Sequence, residues 1–166
     1  MIKINVAEIK KTLTGSVDFQ YVLTGKELDL LPTDADLEGP VEITGTISNG
    51  GDVLLLKATE RFVAHGTCAR CLKEVTLPIT AEVEERYYPA GTEGLEEDAF
   101  TYQHDMVDVT DALRESLLLA IPDRVLCKPD CKGICPVCGC DRNVVTCHCD
   151  TRSIDPRLEA LKALLK

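Results

Sequence analysis

Tryptophan is absent from this chain, and its aromatic residues are only three Phe and four Tyr. A core must therefore be built from Leu, Ile and Val, with little help from ring packing. No apolar run reaches the roughly 18 residues that a membrane-spanning helix needs. The opening Met1-Ile2-Lys3-Ile4-Asn5-Val6 lacks the apolar stretch and small-residue cleavage site of a secretory signal, which predicts a cytoplasmic protein. An excess of positive charge is missing too. The formal net charge is −10, and residues 1–120 hold 10 Lys/Arg against 22 Asp/Glu. That balance argues against a broad nucleic-acid-binding face, which needs clustered basic side chains. Residues 121–166 differ, with 8 Lys/Arg against 6 Asp/Glu.

Cysteine, by contrast, is plentiful. Eight of the nine form close pairs: Cys68 with Cys71, Cys127 with Cys131, Cys135 with Cys138, and Cys147 with Cys149. Cys140 is left over. Disulfides need an oxidising compartment, and such short spacings make poor structural disulfides but good metal clamps. Eight thiolates fill two tetrahedral sites, so the spacing predicts two zinc ions. An iron–sulfur cluster uses the same thiolates, and spacing does not distinguish it. The sharpest unit is Cys135-Pro136-Val137-Cys138-Gly139, a zinc knuckle whose glycine stands where the turn needs positive φ.

Four pairs combine into two sites in three ways. The favoured grouping places Cys68, Cys71, Cys127 and Cys131 in one site and Cys135, Cys138, Cys147 and Cys149 in the other. The second is local, a short ribbon with Asn143 near its turn. The first closes a 55-residue gap between Cys71 and Cys127 and would tie the sheet to the segment after the helix. Two closed all-thiolate sites imply structural metal rather than catalysis.

The remainder reads as α+β: an antiparallel β-sheet domain with one buried helix over residues 1–122, then a zinc-ribbon segment and C-terminal helix over residues 123–166. Val41, Ile43 and Ile47 alternate with polar residues at a period of two. Asn49-Gly50-Gly51 supplies a hairpin turn, and Val53–Leu56 begins the return strand. Val75, Leu77, Ile79, Ala81 and Val83 give the clearest half-buried strand, with Pro78 marking an edge or bulge. The first knuckle thus sits at a hairpin tip. Residues 89–107, rich in Gly and Glu, predict an exposed, mobile acidic loop. A helix over residues 108–121 follows, capped by Asp108 and ended by Pro122. Leu118 and Leu119 widen its apolar stripe and predict burial on most sides. Asp155-Pro156 opens a last helix.

Several of these motifs occur together, in order, in one family. Cys68-Ala69-Arg70-Cys71-Leu72, Leu117-Leu118-Leu119-Ala120-Ile121-Pro122, the run from Cys127 to Gly139, and Ile154-Asp155-Pro156-Arg157-Leu158 resemble the YceD family. These are the large ribosomal RNA subunit accumulation proteins of bacteria and plastids. The resemblance implies a cytoplasmic, non-catalytic factor for large-subunit ribosomal RNA accumulation or processing. It also implies the eight paired cysteines as metal ligands. The acidic first half suits a basic ribosomal or RNA-processing protein, or a ribosomal precursor particle, with only weak direct RNA contact. The alternative is a zinc-ribbon adaptor outside ribosome assembly, for instance in transcription. Enzyme readings fit less well. Neither knuckle opens a helix after a strand, as a thioredoxin-like dithiol would, and His65-Gly66-Thr67 lacks the glutamate of a zinc deaminase.

Overall fold

The computed structural model describes residues 1–150; the predicted C-terminal helix lies outside the described residues. The chain divides into two compact units. One comprises Met1–Gly66 with Thr76–Asp123, and the other combines Thr67–Val75 with the described residues from Arg124.

The first unit is built on a five-stranded sheet of order β2-β3-β4-β5-β6, with strands Ser16–Leu23, Val41–Asn49, Leu54–Thr67, Glu74–Pro89 and Thr101–Tyr102. Strand β1, Lys3–Asn5, pairs antiparallel with β7, Met106–Asp108. Helix α1 spans Thr110–Ala120. The expected α+β arrangement is thus a mostly antiparallel sheet with one helix among the described residues.

Register follows the hydrophobic alternation. Ile43 pairs with Tyr21 and Glu60, and Ile47 with Val17 and Leu56, which sets these side chains on the core face. Val41, Ile43, Ile47, Leu54 and Leu56 are at most 1% exposed. The opposite face is a polar ladder, in which the Thr46 hydroxyl donates to Asp18, that of Thr59 to Glu82, and Lys57 pairs with Glu84. At the β3–β4 turn the Asn49 side-chain oxygen accepts the Gly51 amide at 2.9 Å. Among the described residues β6 pairs only with Tyr88 and Pro89, so that side of β5 has no described ladder partner near Pro78, which suits a proline.

Two expectations need correction. Residues 89–107 are not one exposed loop. They contain β6 and open β7, and Phe100 stacks on the buried Tyr87 with ring centroids 5.3 Å apart. Strands of two and three residues are too short for alternation to register, and they form because ordered partners receive them. The helix, in turn, is buried along one face only: Ala112, Leu113 and Leu117 are covered, while Leu119 is 87% exposed. At 100° per residue, three consecutive leucines cannot all face one sheet. Asp108 does serve the helix start, accepting the Thr110 amide and hydroxyl, and Thr110 in turn receives the Ile2 amide at 2.6 Å. No helix among the described residues is long and apolar enough to cross a membrane.

Candidate metal centres

Among the described residues of the second unit, most large apolar side chains are exposed, including Leu126, Ile134, Val137, Val144 and Val145. Its buried cluster is Cys68, Cys71 and Cys131, with Val75 packed against them. Sulfur does here what leucine does in the other unit. Cys68 and Cys71 lie in the turn between β4 and β5. The Cys68 amide donates to the Lys73 carbonyl, the Leu72 amide to the Cys68 carbonyl, and the Ala69 amide to the Val125 carbonyl. The last of these lays residues 124–126 beside the turn and delivers Cys127 and Cys131.

All four sulfurs of Cys68, Cys71, Cys127 and Cys131 lie within 4.8 Å of one another, as do those of Cys135, Cys138, Cys147 and Cys149. A tetrahedral ion with sulfur ligands about 2.3 Å away spaces them about 3.8 Å apart. The structure gives 3.8 Å for Cys68–Cys131 and 3.5 Å for Cys71–Cys127. Both quartets could hold a metal ion.

The two knuckles are the same turn. In each, the residue after the second cysteine donates its amide at 2.9 Å to the carbonyl of the first: Leu72 to Cys68, and Gly139 to Cys135. Each does so in the left-handed region, with φ 60° and 72°. Glycine adopts that conformation freely, whereas leucine is strained there.

Charge crowding also fits a cation. The backbone amide of Cys127 chiefly holds the Cys68 thiol down to about 6. Those of Cys138 and Val137 hold Cys135 at about 6. Neighbours respond in the opposite sense: beside the Cys71 sulfur, the Cys127 thiol is pushed up to about 12. Four sulfurs this close resist joint ionisation until a positive charge sits among them.

Several supporting residues were not legible as such in the sequence. The Asn143 side chain donates to the Cys131 sulfur at 3.4 Å and to Asp141, and it accepts the Lys132 amide. Asp141, held down to about 2 chiefly by its Lys73 hydrogen bond, pairs with that lysine at 2.6 Å. Arg70 donates to the Cys131 carbonyl at 2.8 Å. Gly133 lies so close to the Arg70 carbonyl that a Cβ there would stand 2.8 Å from it. The only advance signal was Asn143 near a ribbon turn. The histidines stay apart: His65 faces Glu38 at 3.7 Å, and neither quartet includes His104 or His148. Cys140, outside both quartets, places its sulfur 3.4 Å from that of Cys138.

Comparison with known proteins adds a relationship. The family described as "Large ribosomal RNA subunit accumulation protein YceD" matches residues 56–165, a span that contains both quartets. The uncharacterized protein YlbN of Bacillus subtilis is 27% identical over 171 residues, covering 99% of this chain and 97% of its own. The uncharacterized proteins Rv2926c of Mycobacterium tuberculosis and Mb2951c of Mycobacterium bovis are each 32% identical over 134 residues. That alignment covers 78% of this chain and 61% of each mycobacterial protein. No solved structure matches.

Proposed function

The chain belongs to the YceD family of large ribosomal RNA subunit accumulation proteins, and we propose that it is a non-catalytic cytoplasmic factor for accumulation or processing of that RNA. The observation that carries the reading is the family match across both cysteine quartets. The eight quartet cysteines are the ligands of two zinc ions. Bound zinc supplies cross-links: the first joins the hairpin tip to the segment after the helix, and the second closes residues 135–149. Each quartet spends all four coordination positions on sulfur, which suits structure rather than chemistry at the metal.

The partner is a ribosomal precursor particle or a basic ribosomal or RNA-processing protein. Exposed Glu42, Glu82 and Glu84 on the polar ladder, with Glu93, Glu96, Glu97 and Asp98 beyond β5, offer it carboxylates. In the second unit, exposed Arg124, Lys132 and Arg142 provide a few phosphate contacts, too few for tight RNA binding at cellular salt.

Depleting the protein in its source cell should lower the ratio of large- to small-subunit ribosomal RNA. Re-expressing the native chain should restore it, and Cys71→Ser should not. An unchanged ratio on depletion contradicts the proposal. Purified protein should carry close to two zinc ions, fewer in Cys138→Ser.

A further inference from the structure

A fifth thiol beside the second site, Cys140, points to a modification. We propose that Cys138 and Cys140 form an oxidisable dithiol, whose disulfide removes Cys138 from the second metal site and empties that site alone. This rests on reading the second quartet as a metal site.

Three observations converge. First, the Cys138 and Cys140 sulfurs are 3.4 Å apart, so closing a bond of about 2.05 Å requires a movement of only about 1.4 Å. Second, the residue between them is Gly139, at φ 72°, with no atom within 4 Å of where a Cβ would stand. The small ring of a Cys-Gly-Cys disulfide closes at a residue free to turn. Third, the quartets differ in access. In the first only Cys127 is exposed and the other three sulfurs are buried, whereas in the second only Cys135 is buried, Cys138 is exposed, and Cys147 and Cys149 are half-buried, as is the adjacent Cys140.

The neighbouring pair Cys147 and Cys149 has the same spacing, but both sulfurs belong to the quartet. Oxidising them would take two ligands from one ion. Cys140 lies outside the quartet, so only one ligand has to leave. A peroxide serves as oxidant. The Cys140 sulfur attacks one peroxide oxygen, the O–O bond breaks, and water departs with a Cys140 sulfenic acid remaining. The Cys138 sulfur leaves the metal and attacks that sulfur, expelling hydroxide, which takes a proton from solvent. One peroxide, two sulfurs and the protons they and the solvent supply give one disulfide and two waters. The site keeps three thiolates, and the ion dissociates to a chelator. Reduction reverses the step.

The test treats the zinc-loaded full chain with hydrogen peroxide in the presence of a colorimetric zinc chelator, followed by peptide mass mapping without reduction. The native chain should release one of its two zinc equivalents, lose 2 mass units in the peptide spanning Cys138 and Cys140, and regain the ion after dithiothreitol and zinc. Cys140→Ser keeps all eight ligands, and the carbonyl that receives the Cys135 amide remains; it should start with two ions and release the second about tenfold more slowly. Equal release from Cys140→Ser, or a disulfide mapped to Cys147 and Cys149, overturns the dithiol while leaving the two-metal reading intact. Fewer than two ions in the untreated native chain overturns both.

Discussion

Glu60 is a carboxylate in the wrong place for a charge. It stands on the core face of β4, opposite Ile43, with no exposed surface, and neither oxygen makes a hydrogen bond among the described residues. Burial raises its pKa from 4.5 to about 8, against a smaller lowering by the nearby Ser116 hydroxyl. Between those two values the folded chain binds more protons at Glu60 than the unfolded chain does, so its contribution to stability falls as pH rises. At about 1.4 kcal/mol per pKa unit, the cost approaches about 5 kcal/mol above pH 8 and is roughly 3 kcal/mol at pH 7. Glu60→Gln keeps the shape and removes the titration. Native and variant, both saturated with zinc, should be unfolded in urea from pH 6 to 8.5 and followed by circular dichroism, since the chain has no tryptophan to report. Metal-linked proton release is common to both and cancels. The variant's advantage should grow by about 2 kcal/mol between pH 6 and 8. Parallel pH profiles, within about 0.5 kcal/mol, would refute the reasoning.

The knuckle turns predict opposite outcomes for matched substitutions. Leu72→Gly relieves a left-handed leucine and should retain zinc against chelator at least as well as native, whereas Gly139→Val imposes that strain and should weaken the second site by about 1–2 kcal/mol. Cys71, 6% exposed in the buried sulfur cluster, should matter more than the partly exposed Cys147: Cys71→Ser should lower soluble yield and melting temperature well beyond Cys147→Ser, and equal losses would contradict the burial argument. Titration of the pure protein against naked large-subunit RNA should show weak, salt-sensitive binding; nanomolar affinity at physiological salt would contradict a basic protein or precursor particle as the main partner.

Legibility in the sequence followed the range over which each signal acts. The alternation at Val41–Ile47 and Val75–Val83 spans enough residues to declare a period, and β3 and β5 contain those residues. The cysteine pairs carried the site, because a chelating spacing is a local constraint that tertiary structure only has to bring together. What escaped was set by partners. Strands β6 and β7 exist because β5 and β1 receive them, and no composition rule finds a two-residue strand in an acidic segment. Leu119 reads as core in a run of leucines, yet the rotation of the helix aims it outward. Glu60 is a polar residue in phase with Leu56, Ala58 and Phe62, and its burial opposite Ile43 places it on the core face. Asn143 is legible only as a turn residue and Lys73 only as a surface charge; the fold brings them to Cys131 and Asp141.

The claim at the centre is that this chain serves the large ribosomal subunit. Sucrose-gradient fractionation of the tagged protein, with its bound RNA and proteins identified, tests it most directly. The account predicts co-sedimentation with large-subunit precursor particles, lost in Cys71→Ser. Recovery with RNA polymerase, or at the top of the gradient without precursor ribosomal RNA, would contradict it.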